Sequence, residues 1–195
     1  YSNNQLLFPT FVNGLLAVCE GQALDKEFEN RSEISISDYM NMIDLKTGYL
    51  IGLSAELGSI IVGIAKEEIT LFREFGRRIG RAFQIQDDIL EIFSDSKTMG
   101  KSLESDLVLG KKTFLMVKAE NDNPGFINKV NKLVNRNYSE GIVEIRKMLL
   151  DNGVYQESQD LINDNIKYAN GILKNLKYDT QYLQYFSDLI GNRKF

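Results

Sequence analysis

Residues 83–91 read Phe83-Gln84-Ile85-Gln86-Asp87-Asp88-Ile89-Leu90-Glu91 and close the most periodic segment of the chain, Lys66 to Ser94. Within it Phe72, Gly76, Ile79, Gly80 and Phe83 recur at spacings of three and four, which predicts an inward stripe on a helix. The glycines of that stripe would let a neighbouring helix come close. Farther along, its character changes. Gln84, Asp87, Asp88 and Glu91 stand at i, i+3, i+4 and i+7, a spacing that puts all four on one face. Three packed acids repel one another, so this face calls for water or a cation. Because Asp87 continues the buried stripe, the spacing points to a cation held between helices. Clustered carboxylate oxygens suit a hard ion, Mg²⁺ above all. Mg²⁺ keeps several waters and favours one or two carboxylates with substrate phosphates, so the trio also points to a phosphate-bearing ligand. Taken alone, the same spacing is better explained as a solvated acidic helix face.

Working outward, apolar residues keep a period of three to four throughout, and only Pro9 and Pro124 interrupt. Helices are expected over Asn4 to Gly21, from Ser37–Asp38 into Leu45, over Tyr49 to Gly63 and over Lys66 to Ser94. Shorter ones are expected over 112–120, 125–136, 139–150, 155–176 and 180–190. Lys26 to Ser35 and Asp95 to Gly110 have loop composition. With no repeat and no linker, one all-α domain covering residues 1–195 is expected.

Composition narrows the chemistry. The 195 residues contain no His, which excludes His-based triads and His-ligated zinc and leaves carboxylates and lysines. Cys19 is alone, so no disulfide framework exists, and a reducing, cytoplasmic setting is expected. A net charge of -4 argues against nucleic acid as a partner and requires locally placed cations for any anionic ligand. Leu6 to Val18 and Tyr49 to Ala65 are apolar. The first lacks the flanks of a signal peptide, and Glu56 interrupts the second, which falls short of the roughly 20 residues of a membrane helix. Both are expected to be core helices. Lys46 and Thr47 precede Gly48, and Lys101, Lys111 and Lys112 follow the acidic helix. Lysines serve as point charges for phosphate oxygens. Singly, each is better explained as a helix-terminal or loop charge.

Together these residues resemble the trans-isoprenyl diphosphate synthases, also called polyprenyl synthetases. Residues 83–91 resemble the second aspartate-rich motif of that family, FQxxDDxxD. Gly21-Gln22 with Asp25 resembles its GQxxD segment, and Lys46-Thr47-Gly48 its KT(G/A) segment. Met99-Gly100-Lys101, Asp106 and Gly110-Lys111-Lys112-Thr113 resemble GKxxGxDxxxGKxT. Tyr168-Ala169, Leu173, Leu176 and Arg193 are similar to its C-terminal helices.

The resemblance implies a prenyltransferase-type helical bundle, usually a homodimer, that joins isopentenyl diphosphate to an allylic diphosphate with Mg²⁺. It implies Asp87 as the main metal ligand, with Asp88 and Glu91 in support. Lys46, Lys101 and Lys111 would hold diphosphate, while Thr47 and Gln84 would face the substrate cation through their oxygens. Phe83 would pack on the isopentenyl moiety, and Asp106 would orient a lysine or a metal-bound water.

The sequence departs from the family at three points. Glu91 replaces the third Asp, Glu104 replaces a Gly of the loop segment, and no segment resembles the first aspartate-rich motif. The expectation is therefore the C-terminal part of a longer synthase; the alternative is a truncated, non-catalytic subunit or partner of a prenyl synthase. A metal-dependent terpene cyclase is disfavoured, because Asn163-Asp164 lacks the Ser and Glu its second site needs. A plain helical scaffold explains the periodicity but not the order of motifs.

Overall fold

The computed structural model describes residues 4–94 and 111–193. Every regular element among them is helical, as the periodicity requires. In order they are α1 (Asn4–Phe28), α2 (Ile36–Ile43), a π-helical turn (Asp44–Gly48), α3 (Tyr49–Ile61), α4 (Lys66–Phe93), α5 (Phe114–Asp122), α6 (Phe126–Arg136), α7 (Tyr138–Asp151), α8 (Val154–Lys174) and α9 (Gln181–Gly191).

Helix α4 is the axis of the bundle. It packs against α3 on one side and α8 on the other. Phe75, Ile79, Ala82, Ile85, Ile89 and Ile92 are fully buried and join side chains of α2, α5, α7 and α8 in the main core. A smaller cluster of Ile60, Ile64, Ile69 and Phe72 closes the turn between α3 and α4. The glycines of the stripe do what their spacing predicts. A Cβ on Gly76 would stand 2.6 Å from both the Gly52 Cα and the Ile51 carbonyl oxygen, and one on Gly80 would stand 2.6 Å from the Gly48 Cα. Helix α4 thus meets α3 and the π turn backbone to backbone. Gly76→Ala should gain about 1 kcal/mol of helix propensity and lose more by forcing two backbones apart. The expected balance is a destabilisation of about 1–3 kcal/mol, read from the denaturant midpoint.

The helix boundaries are informative where they differ from expectation. Helix α1 runs through Gly21 to Phe28 rather than stopping at the glycine. Gly21 is a contact point, not a cap: a Cβ there would lie 2.3 Å from the backbone nitrogen of Lys46. The start of α2 is set by Ser35, not Ser37. Its hydroxyl accepts from the Asp38 N–H at 3.0 Å while the Asp38 carboxylate accepts from the Ser35 N–H at 3.2 Å, a reciprocal capping box.

Helix α1 is also less buried than expected of a core helix. Phe8 is 75% exposed and Leu16 62%, although Gly14 and Gly21 are buried against neighbours. By length and composition alone, Gln5–Phe28 is long and apolar enough to cross a membrane. Its last two turns carry Asp25, Lys26 and Glu27, and Asp25 is tied by an ion pair to the π turn.

Candidate active site

The π turn brings the first motif residues to α4. Lys46 and Thr47 lie inside it, and their side chains diverge. The Lys46 ammonium donates to the Asp25 carboxylate of α1 at 2.6 Å. The Thr47 hydroxyl donates to Gln84 Oε1 of α4 at 2.9 Å. The GQxxD-like, KTG-like and FQxxDD-like segments, separated by 21 and 37 residues, therefore converge through two hydrogen bonds.

From Gln84 the network continues inward. Its amide Nε2 donates to Asp88 Oδ1 at 3.2 Å. Asp88 Oδ2 accepts from the backbone N–H of Phe114 at 2.7 Å and from the Tyr39 hydroxyl. Phe114 opens α5, so its N–H is among the helix-terminal donors that no intrahelical carbonyl can satisfy. The acid meets that need from inside the core. Thr113, also quoted for the family resemblance, caps the same helix by accepting from the Met116 N–H at 3.4 Å.

Asp88, expected to support Asp87 as a metal ligand, is only 2% exposed, and its carboxylate is met by three protein donors. The described residues contain no group of three acidic, Cys or His side chains placed to hold one ion. The cause is helical geometry. Neighbouring residues point about 100° apart, so the four polar residues split into two stripes. Asp88 meets Tyr39 of α2 and the first N–H of α5, and Gln84 beside it meets Thr47 of the π turn, while Asp87 and Glu91 pair with Arg193 and Lys111. The buried stripe continues through Asp88, not Asp87. Burial pushes the Asp88 carboxyl up to about 7, against the Phe114, Tyr39 and Gln84 hydrogen bonds that favour its ionised form. Burial also raises the Tyr39 phenol, which the Asp88 charge reinforces, so Tyr39 stays a donor.

Asp87 is 39% exposed and paired with Arg193 at 2.7 Å. The Arg193 guanidinium also lies over the Phe83 ring, 4.8 Å from its centroid, and the Arg193 carbonyl accepts from Gln86 Nε2 at 3.1 Å. Phe83, expected to meet the isopentenyl group, is half-buried beneath this cation. Glu91 pairs with Lys111 at 3.0 Å. Two expected diphosphate-binding lysines thus each rest beside an acid. Lys101, Glu104 and Asp106 lie outside the described residues.

The arrangement matches known proteins. The family model described as Polyprenyl synthetase matches residues 2–149. The chain belongs to the polyprenyl synthetase family. Among its polyprenyl synthetase relatives, the short chain isoprenyl diphosphate synthase of Methanothermobacter thermautotrophicus is 44% identical over 108 residues, 55% of this chain and 33% of that one. The geranylgeranyl diphosphate synthase of Saccharolobus solfataricus is 34% identical over 172 residues, 87% of this chain and 51% of that one. The crystal structure of a geranylgeranyl pyrophosphate synthetase from Pyrococcus horikoshii superposes with a TM-score of 0.88 at 33% identity, covering 99% of this chain and 60% of that chain. The bundle is thus the polyprenyl synthetase fold. The chain spans about a third to a half of these two curated relatives' lengths.

Several residues of this site carry no local sequence signal. Tyr39 reads as an ordinary apolar position of α2, yet it closes the Asp88 network from 49 residues away. Arg193, quoted for the family resemblance, reaches Asp87 across 106 residues, a contact that no local pattern shows. Asp44, Arg77 and Arg81 form a third unforeseen set. Arg81 Nε donates to Asp44 Oδ1 at 2.8 Å, and Arg77 donates to both carboxylate oxygens. Burial alone would raise the Asp44 carboxyl, but the two guanidiniums outweigh it and hold the carboxyl below its ordinary value of 3.8. A lowered folded-state value stabilises the fold above pH 3.8, and the contribution is lost as pH falls through the folded value. The stability difference between the natural protein and Asp44→Asn should therefore be constant near neutrality and shrink in acid. A difference that does not change with pH would remove the ion pairs from the stability of the fold.

Proposed function

We propose that this polyprenyl synthetase chain carries part of the active site of a prenyl diphosphate synthase, which condenses isopentenyl diphosphate with an allylic diphosphate. The observation that carries the reading is the 2.9 Å bond by which Thr47, next to Lys46 in the π turn, meets Gln84, one turn from Asp87. The relatives named as short chain isoprenyl and geranylgeranyl diphosphate synthases support the substrate class.

Lys46 and Lys111 would hold diphosphate oxygens, each exchanging its resting carboxylate for the ligand, and Lys101 would join them. Ionising an allylic diphosphate needs positive charge at the leaving group and an apolar, dry surface for the cation that remains. Thr47 and Gln84 supply the polar oxygens at that surface. The chain Tyr39, Asp88, Gln84, Thr47 fixes their direction: Asp88 holds the Gln84 amide nitrogen, which leaves Oε1 turned to Thr47. Asp88 is accordingly an orienting residue in this scheme. Asp87, half-exposed, with Glu91 one turn on, fits a Mg²⁺ ion that takes one or two carboxylates and completes its shell with water and phosphate. When bound, Mg²⁺ supplies Lewis acidity toward the charge that develops on diphosphate. The exposed apolar face of α1 supports a homodimer, and the lone Cys19 supports a reducing, cytoplasmic setting.

The test is incorporation of labelled isopentenyl diphosphate into an acid-labile product by the full-length protein, with Mg²⁺-dependent pyrophosphate binding measured alongside. Lys46→Ala should weaken that binding by about 10-fold or more, the worth of a charge-assisted hydrogen bond. No incorporation with any allylic primer, with pyrophosphate binding retained, would favour the non-catalytic partner of a prenyl synthase. Loss of both would end the synthase reading.

A further inference from the structure

The turn that presents Lys46 and Thr47 is irregular, and its irregularity is gripped from outside. A π-helical turn takes one residue more than an α turn, and such turns are rare and frequently lie at functional sites. Here the Tyr49 N–H donates to the Asp44 carbonyl five residues back. The extra residue rotates everything beyond it by about 100° relative to an unbroken helix. Whether Lys46 and Thr47 face Asp25 and Gln84 depends on this turn being kept.

Three contacts keep it. Gly21 of α1 and Gly80 of α4 press on it at backbone distance from either side. The third contact is ionic. Asp44, the first residue of the turn, is 7% exposed and takes three guanidinium hydrogen bonds from Arg77 and Arg81. The same Arg77 guanidinium lies 4.3 Å from the ring centroid of Tyr49, the residue just past the turn. Arg77 therefore grips both residues that make the five-residue hydrogen bond. Only a planar, forked cation can bind a carboxylate side-on and stack on a ring at once, so Lys cannot substitute. Gly48 completes the fit, since a Cβ there would lie 2.7 Å from Asp44 Oδ1.

We propose that Asp44 and Arg77 are positioning residues: with Arg81 they clamp the π turn so that Lys46 faces a diphosphate ligand while Thr47 stays on Gln84. The ligand class rests on the synthase reading above; the clamp does not. The test uses the full-length protein with Asp44→Asn, Lys46→Ala and the double variant. Two quantities are read, hydrogen exchange of the Tyr49 amide and Mg²⁺-dependent affinity for inorganic pyrophosphate. Asp44→Asn should speed Tyr49 exchange while the Ile89 amide in mid-α4 stays protected, and should weaken pyrophosphate on the order of 10-fold. The double variant should bind no worse than Lys46→Ala alone, because the clamp acts through Lys46. A merely structural role predicts additive losses, and that result overturns the proposal. So does unchanged Tyr49 exchange. If the natural protein binds no Mg²⁺-pyrophosphate, the synthase reading fails, and Tyr49 exchange alone still decides the clamp. Should Asp44→Asn not fold, Arg77→Lys replaces it, with the same outcomes expected.

Discussion

In the full-length protein, Asp87→Ala is expected to lower turnover by about 10²–10³-fold while leaving the fold intact. The first half follows from charge. Asp87 would hold the Mg²⁺ that stabilises negative charge as it develops on diphosphate, and loss of such stabilisation is worth that factor; Asp87 is also the more exposed acid of its stripe. The second half follows from exposure. The Asp87–Arg193 pair is 39% and 36% exposed, and such pairs contribute under about 1 kcal/mol. The check is a steady-state assay beside a denaturation curve. Turnover within a few-fold of the natural protein would remove Asp87 from the metal site. A collapse of stability would mean that the Arg193 contact matters far more than its exposure allows.

Asp88→Ala, one residue on, should behave in the opposite way. It deletes the acceptor for the Tyr39 hydroxyl, the Phe114 N–H and the Gln84 amide, all at a buried position. Each buried donor left unmet costs about 1–3 kcal/mol, so a loss of about 3 kcal/mol or more is expected. Some of this is offset, because the natural protein must bury an acid whose carboxyl is held up at about 7. The sign of the pH dependence follows. A raised folded-state value means that the Asp88 contribution is fully present below 3.8 and diminishes as pH rises through 7. The stability gap between Asp88→Ala and the natural protein should therefore narrow with rising pH, and turnover should fall because Gln84 and Thr47 lose their orientation. A variant as stable as the natural protein at every pH would show that the three donors find water instead.

The contrast between these adjacent acids marks the limit of sequence reading. Spacing of three and four was enough to place helix α4 along 66–93, to mark Gly76 and Gly80 as close-approach positions, and to call the fold all-α. Order was enough to link residues 21–25, 46–48 and 83–91 to one family, because those segments are short and each keeps its residues within a few positions. Such patterns are local, and a helix period states which residues share a face. It does not state which neighbour that face meets. That Asp88 rather than Asp87 is buried was decided by Tyr39 and the first N–H of α5, 49 and 26 residues away. That Asp87 rests against Arg193 was decided across 106 residues. The π turn was equally invisible, since Asp44-Leu45-Lys46-Thr47-Gly48 has the composition of ordinary helix and is held in its wider form by Gly21, Gly80 and Arg77 from other elements. Residue type and period, read from the sequence alone, determined the helices and the chemistry available to them. Tertiary packing determined which carboxylate is spent inside the protein and which remains at its surface, because burial and hydrogen-bond partners are properties of contacts between distant segments.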